Sequence, residues 1–370
     1  MKRMFLSGNE AVAYGAIDAG CRFYTGYPIT PSSEIMHMMA KLLPEAGGVF
    51  IQAEDELAAI NMIIGASWAG LKSMTATSGP GFSLMQEGIG YAVMTETPLV
   101  IVDVMRAGPA TGQATKAAQG DLMQTRWGRH GDQYLVVLAP ESPREAYDLI
   151  IEAFNISESL RTPVVFLMDE FIGHGREVVF RKDPGEIKLV ERRRPSDHEP
   201  LFGSDDPRIP PPMPHLGEGY YVLVTGSTHN EYGYRDVHSF ETHYKLVKRL
   251  KEKIWGNIDR IFKYEVIGDP GRAEKAIVCF GSTCRSAKEA VMGLDNVLLI
   301  RLITLWPLNY DLLRELLSNV RLVVVPELSL GQLIYDVRQV VDSGVKVVGV
   351  NKVGGGVPIY PSEIKKALEV

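Results

Sequence analysis

The sequence predicts an α/β protein: a parallel sheet with helices on both faces, followed by a second, smaller α/β domain. Three observations predict it. From Glu10 to Leu167, short apolar segments of strand length alternate with segments of helix length, the pattern of βαβ units. The same alternation resumes at Ala273. Between the two lies a stretch of linker composition, with Glu191-Arg192-Arg193-Arg194, the pair Asp205-Asp206 and Pro210-Pro211-Pro212. A chain of 370 residues is long enough for two domains, each with its own core.

In order, Glu10–Ala19 has helical spacing and stops at Gly20, a C-terminal cap signal. Strands are expected at Arg22–Thr25, Val49–Gln52, Lys72–Thr77, Leu99–Val104, Tyr134–Leu138 and Pro163–Leu167. Helices are expected at Ser32–Leu43, Asp55–Ala69, Phe82–Met94 and Pro143–Glu158. The pattern breaks near Arg176, and the first domain is placed at 1–190. Residues 191–270 read as a linker and excursion that packs on the neighbouring domain or on a partner chain. Within it, Tyr220–Val224 looks like a strand and Glu241–Lys253 like a basic amphipathic helix with a solvated face. The second domain, 271–370, has strands at Lys275–Phe280, Val297–Arg301, Val320–Val325 and Lys346–Val350. Helices at Arg285–Met292, Asp311–Leu317 and Leu330–Val341 join them.

Composition narrows the function. Hydrophobic residues at 45% and charged residues at 23% are ordinary for a globular protein. A net charge of −6 weighs against nucleic acid as a partner. No apolar stretch reaches the roughly 18–20 residues that span a bilayer, and Met1–Leu6 is too short for a signal peptide, so a cytoplasmic protein is expected. The three cysteines cannot build a disulfide framework or a four-cysteine cluster. Cys279 and Cys284 could form half of a metal site, but Ala276–Phe280 reads as a buried strand and Cys279 as a core thiol. Any iron–sulfur cluster would sit on another chain.

Four segments have residue types suited to chemistry. In Tyr27-Pro28-Ile29-Thr30-Pro31-Ser32-Ser33, two prolines fix the backbone around the Thr30 hydroxyl, and Ser32 or Ser33 can cap the next helix. A rigid turn with a cap is the plainer reading. In Glu54-Asp55-Glu56, Asp55 or Glu54 can cap the helix, while Glu56 borders Leu57, Ala58 and Ala59, where burial would raise its pKa. Thr77-Ser78-Gly79-Pro80-Gly81 opens a helix directly after a strand and lacks the Lys-Ser/Thr of a phosphate loop. It reads as a tight turn that lets a cofactor or another chain approach. Arg106 ends the strand that starts at Leu99, the edge where parallel sheets bind ligands, and its guanidinium suits a carboxylate. A surface salt bridge is the plainer role there.

Together and in this order, with Gly65-Ala66-Ser67 between them, these motifs resemble the alpha subunits of the 2-oxoacid:ferredoxin oxidoreductases. Those are thiamine-dependent enzymes that convert 2-oxoacids to acyl-CoA. The resemblance covers nearly the whole chain. Ser78-Gly79-Pro80-Gly81 and Gln119-Gly120-Asp121-Leu122 are most similar to the 2-oxoglutarate enzymes, with the branched-chain 2-oxoacid enzymes close behind. It implies a pyrimidine-binding domain of the thiamine diphosphate enzymes, followed by a domain like the transketolase C-terminal domain, in which Pro326–Leu333 has a structural role.

The resemblance also implies roles. Glu56 matches the glutamate that hydrogen-bonds N1′ of the aminopyrimidine and so promotes deprotonation of the thiazolium carbon. Thr30 and Arg106 match the pair that receives the 2-oxoacid carboxylate. Pro28 matches a position lining the pyrimidine pocket, and Ile29, Ser78 and Gly79 are expected beside the cofactor. Lys116, Arg126, Arg129 and His130 are the candidates for the distal carboxylate of 2-oxoglutarate.

The Gly-Asp-Gly motif that holds Mg²⁺ and diphosphate is missing: Gly120-Asp121-Leu122, Gly131-Asp132-Gln133 and Gly268-Asp269-Pro270 each fail at the third position. No metal site is expected on this chain. A beta subunit would hold Mg²⁺ and the diphosphate of a shared thiamine diphosphate. Small ferredoxin-like subunits or a ferredoxin would carry the clusters, and a 2-oxoacid and CoA would be the substrates. The alternatives are a branched-chain 2-oxoacid or pyruvate enzyme, a pyrimidine-side subunit of a lipoamide-acylating dehydrogenase, and a non-catalytic scaffold.

Overall fold

The computed structural model describes residues 1–196 and 198–369. The first domain runs β1 (Lys2–Ser7), α1 (Gly8–Asp18), β2 (Cys21–Gly26), α2 (Ser33–Glu45), β3 (Val49–Gln52), α3 (Glu56–Trp68), β4 (Lys72–Thr77) and α4 (Gly79–Met94). It continues with β5 (Leu99–Ala107), β6 (Gln113–Ala117), α5 (Leu122–Trp127), β7 (Val136–Leu138), α6 (Pro143–Leu160), β8 (Pro163–Asp169), α7 (Glu170–His174) and β9 (Arg176–Arg181). The excursion contributes α8 (Phe240–Trp255), α9 (Ile258–Ile261) and β10 (Tyr264–Ile267). The second domain is β11 (Lys275–Cys279), α10 (Thr283–Val291), β12 (Val297–Leu302), β13 (Thr304–Trp306), α11 (Tyr310–Leu316), β14 (Leu322–Glu327), α12 (Leu333–Val340), β15 (Lys346–Asn351) and α13 (Pro361–Leu368).

The main sheet has the order β13-β7-β8-β5-β4-β2-β3 and is parallel except for β13, with β6 antiparallel to the end of β5. Residue alternation in β5 explains why it sits centrally. Leu99, Ile101 and Met105 join the core under α3 and α4, while Val100, Val102 and Val104 join the core under α1 and α6. The second sheet, β10-β12-β11-β14-β15, is parallel apart from β10. Val278, Leu298 and Val323 on one of its faces are continuous with the first core, so the two domains share apolar packing.

Several details depart from the sequence reading. Lys2–Ser7 and Arg176–Arg181 form a separate antiparallel ribbon, although the pattern was expected to break at Arg176. Within the 191–270 segment, β10 pairs antiparallel with β12 of the second sheet. β13 leaves its own domain and pairs with β7 of the first sheet. Tyr220–Val224 is not a strand: Val222 and Val224 face the core as alternation requires, but among the described residues no strand pairs with it. Its backbone is held instead by the Tyr91 hydroxyl, which donates to the Val224 carbonyl at 3.1 Å.

The basic helix α8 also differs from a simple solvated face. Arg249 and Lys253 are buried and both pair with the fully buried Glu96 carboxylate. Cys279 is not a free thiol, since the turn into α10 brings Cys284 within a Cα separation of 5.5 Å and the two form a disulfide. Among the described residues no helix is long and apolar enough to cross a membrane.

Candidate active site

The site lies where β2, β3, β4 and β5 deliver their C-terminal ends to one edge of the sheet. After β2 the chain enters the Tyr27–Ser33 turn, in which Thr30–Pro31 is cis. Asn9 of α1 braces the turn by donating to the Pro31 carbonyl at 2.8 Å. Ser32 or Ser33 was expected to cap α2; Ser32 holds the N-cap position, but its hydroxyl points back and donates to the Ile29 carbonyl at 2.9 Å. Pro28 is exposed, while Ile29 and Thr30 are half-buried.

After β3, the three acidic residues divide their roles. Asp55 caps α3 by accepting from the Ala58 amide at 2.7 Å. That leaves Glu56 free of capping, and it turns inward with 5% exposure. Burial raises its pKa; its own backbone amide opposes the rise and the neighbouring Asp55 charge adds to it.

The turn after β4 is shaped around this carboxylate. A Cβ on Gly81 would stand 2.2 Å from both Glu56 Oε1 and Thr77 Oγ1, so only glycine admits the acid here. Ser78 is fully buried at the start of α4, does not cap it, and has no hydrogen-bond partner for its Oγ. Gly79 follows, half-buried.

Arg106 closes the constellation from β5. It is 7% exposed and its Nη1 donates to the Thr30 carbonyl at 2.6 Å, while its Nε is buried without a partner. Thr77 on β4 and Asp103 on β5 are register partners, so Glu56, packed against Thr77, and Arg106 occupy adjacent strand ends. The structure therefore brings Thr30, Glu56, Ser78, Gly79 and Arg106 to one edge.

The four candidates for a distal carboxylate are dispersed. Arg126 pairs with Asp336 of α12, receives Tyr310 as a further partner and stacks over Trp306, 3.8 Å from the ring centroid. Arg129 donates to Gln133, Gln86 and the Thr125 carbonyl, and burial lowers its pKa to about 10. His130 is exposed. Lys116, on β6 beside the Ala117 that pairs with Arg106, is exposed and makes no ion pair among the described residues. A cavity of about 440 Å³ between α5, α8 and β13 is lined by Arg126, Arg129, Trp127 and Trp306, and none of Thr30, Glu56 or Arg106 reaches it.

Sequence reasoning missed Asp103 and Asp121. Both have carboxylate oxygens buried without a hydrogen-bond partner. Asp103 had a visible signal, being the one charge within the apolar run Leu99–Met105. Asp121 was read only within Gln119-Gly120-Asp121-Leu122, as part of a family motif and of a failed metal motif, with no role of its own.

Comparisons with known proteins agree with this architecture. The profile of the family "pyruvate flavodoxin/ferredoxin oxidoreductase, thiamine diP-bdg" matches residues 14–249, and that of "pyruvate:ferredoxin oxidoreductase core domain II" matches residues 273–364. The chain is 51% identical to 2-oxoglutarate synthase subunit KorA of Methanocaldococcus jannaschii, covering 100% of both chains. It is 38% identical to ketoisovalerate oxidoreductase subunit VorB of Methanothermobacter thermautotrophicus, over 100% of this chain and 98% of that one. Among solved structures, a 2-oxoglutarate:ferredoxin oxidoreductase from Magnetococcus marinus with 2-oxoglutarate, coenzyme A and succinyl-CoA bound superposes with a TM-score of 0.92 at 33% identity. That match covers 99% of this chain and 65% of that one. A split-gene transketolase shares the fold, with a TM-score of 0.58 at 16% identity over 98% of this chain and 97% of that one. With both family profiles in place and relatives matched from end to end, the chain belongs to the pyruvate flavodoxin/ferredoxin oxidoreductase family, its thiamine diphosphate-binding domain first and core domain II second.

Proposed function

We propose that this chain is the alpha subunit of a 2-oxoglutarate:ferredoxin oxidoreductase. The reaction converts 2-oxoglutarate and CoA to succinyl-CoA and carbon dioxide, and two electrons leave singly to ferredoxin. The observation that carries the reading is the buried Glu56, seated against Gly81 and Thr77, at the same sheet edge as the Arg106–Thr30 pair. The 51% identity to a 2-oxoglutarate synthase subunit supports the choice of substrate.

The residues fit the pyrimidine half of thiamine diphosphate. Among the described residues the Glu56 carboxyl, seated against Gly81, has no side-chain donor, and the Ser78 hydroxyl at the start of α4 is buried without a partner. When bound, thiamine diphosphate supplies the carbon nucleophile and the electron sink for decarboxylation. Glu56 holds a proton at the N1′ position, and its burial favours the protonated form needed for that exchange. Arg106 binds the substrate carboxylate with the guanidinium edge that Thr30 leaves free, and the Thr30 hydroxyl orients it. Pro28 and Ile29 line the ring pocket, with Ser78 and Gly79 on its other side. Lys116, exposed beside the Ala117 that pairs with Arg106, is the residue assigned to the distal carboxylate.

The chain holds half of a site. In this reading a beta subunit contributes Mg²⁺ and the diphosphate grip, and ferredoxin-like partners carry iron–sulfur clusters. Tyr27, Leu57, Met62 and Leu84 stay exposed around the site, as surfaces a second chain would cover. The test is CoA-dependent reduction of ferredoxin or viologen dye by the reconstituted complex, comparing 2-oxoglutarate, 2-oxoisovalerate and pyruvate. Preference for 2-oxoglutarate is expected. A preference for 2-oxoisovalerate would reassign the substrate, and no reduction with any of them would leave a scaffold.

A further inference from the structure

Three of the chain's four tryptophans converge on one cavity, the space of about 440 Å³ between α5, α8 and β13. Trp127 comes from the first domain, Trp255 from the excursion and Trp306 from the second domain. Trp306 is the hub: its ring lies 6.0 Å from that of Trp127 and 5.3 Å, edge-on, from that of Trp255. The Arg126 guanidinium sits over Trp306 at 3.8 Å and over Trp127 at 4.7 Å, and Asp336 and Tyr310 hold it there. The indoles therefore form a braced platform. Trp127 nevertheless stays 66% exposed, an unfavourable position for so large an apolar side chain unless something covers it.

The polar groups of the cavity suit an anion. Arg126 is neutralised by Asp336. Arg129 is not: its donors go to Gln133, Gln86 and the Thr125 and Arg126 carbonyls, none of them charged. Lys251 is exposed and, unlike Lys248 and Lys253 on the same helix, makes no ion pair among the described residues. Against these two cations stands Asp132, also exposed, which lines the same cavity. A flat aromatic surface, a net positive charge and a single carboxylate complement the three parts of a nucleotide: base, phosphate and ribose hydroxyls. The volume lies within the roughly 300–1,000 Å³ of small-molecule sites. A protein partner fits less well, because charged residues are depleted at the buried centre of protein interfaces.

We propose that this cavity is a mononucleotide-binding site, in which the base stacks on Trp127, Lys251 and Arg129 take the phosphate, and Asp132 accepts from the ribose hydroxyls. None of Thr30, Glu56 or Arg106 lines it, so occupancy is measurable without turnover. The same chemistry has two sources, a free nucleotide and the nucleotide end of CoA.

Isothermal titration calorimetry of AMP into the full chain, and into the reconstituted complex, tests it. Saturable binding is expected, with a dissociation constant below about 1 mM, and stacking should quench tryptophan emission. Trp127→Ala should weaken AMP at least about tenfold, the scale of losing one base–aromatic stack. Lys251→Glu should weaken AMP by about fivefold or more, while adenosine, which lacks the phosphate, should not respond to that change. Both side chains are exposed, and an unchanged melting temperature shows that the variants are folded. No saturable binding, or equal affinity in Trp127→Ala, overturns the proposal. So does a complex in which assembly covers Trp127 and AMP no longer binds, since the cavity is then a contact between subunits. Competition by CoA assigns the source. If CoA displaces AMP, and Trp127→Ala raises KM for CoA but not for 2-oxoglutarate, the nucleotide end of CoA occupies the cavity, an outcome that rests on the reaction proposed above. If CoA leaves AMP bound, the ligand is a free nucleotide. Intact AMP binding in a complex that turns over no 2-oxoacid would refute the reaction and leave the site.

Discussion

Arg106 Nη1 donates to the backbone carbonyl of Thr30 at 2.6 Å, tying the end of β5 to the turn that follows β2. The bond uses one edge of the guanidinium and fixes the other. A lysine at this position has the charge but not the fork, so it cannot hold the turn and a carboxylate together. Arg106→Lys should therefore raise KM for 2-oxoglutarate by about 10- to 100-fold, as expected for losing one charge-assisted hydrogen bond of ~1.5–3 kcal/mol. Steady-state kinetics of the complex would show it, and an unchanged KM would count against the role given to Arg106.

Gly81 is tested by adding one methyl group. Alanine there would collide with Glu56 and Thr77, because each lies 2.2 Å from the new carbon. Gly81→Ala should cost about 1–3 kcal/mol of stability, as overpacking does, and should lower dye reduction at least about tenfold by displacing the acid. Thermal unfolding and turnover measured together separate these effects. Full activity in a folded variant would mean that Glu56 can shift without consequence.

The sheet was legible because β2, β3, β4, β5 and β8 are apolar runs with helices between them, and those positions recur in the structure. Elements that depend on a distant partner were not. β1 and β9 pair as strands only with each other among the described residues, and β13 is three residues that find β7 across a domain boundary. Tyr220–Val224 had the alternation of a strand without a strand to pair with. In the site, motif order singled out Thr30, Glu56 and Arg106, but local sequence could not reveal that the Arg106 guanidinium is tied to the Thr30 carbonyl. Likewise, Arg126 was expected to meet the distal carboxylate, whereas it pairs with Asp336 of the other domain.

The Glu96 cluster makes a stability prediction. Burial alone would raise the Glu96 carboxyl, but Arg249 and Lys253 outweigh it and hold the acid well below the usual range. A depressed carboxyl contributes stability that is complete above its unfolded value near 4.5 and is lost as pH falls towards the folded value. Glu96→Gln should destabilise the chain by about 3–5 kcal/mol at neutral pH, since two buried cations lose their counter-charge. It should also flatten the decline in melting temperature below about pH 4.5. A melting temperature matching the unmodified chain would show the cluster to be energetically neutral.

Lys116 offers a test of specificity. It is exposed and makes no ion pair among the described residues, next to the Ala117 that pairs with Arg106. Lys116→Ala should raise KM for 2-oxoglutarate by up to about fivefold, the scale of a solvent-exposed ion pair of ~1 kcal/mol or less. The KM for 2-oxoisovalerate, which lacks the second carboxylate, should stay unchanged. Equal effects on both substrates would assign Lys116 a role unrelated to the distal group.

Glu56 bears the heaviest demand, and hydrogen–deuterium exchange at the thiazolium carbon of thiamine diphosphate bound to the reconstituted complex measures its contribution without substrate. Replacing the acid by Glu56→Gln keeps the shape of the side chain and removes the proton it exchanges. Exchange should slow by about 10²- to 10⁴-fold, the usual scale for losing a positioned acid–base group. Exchange at the rate of the unmodified complex would mean that this buried carboxylate does not activate the cofactor.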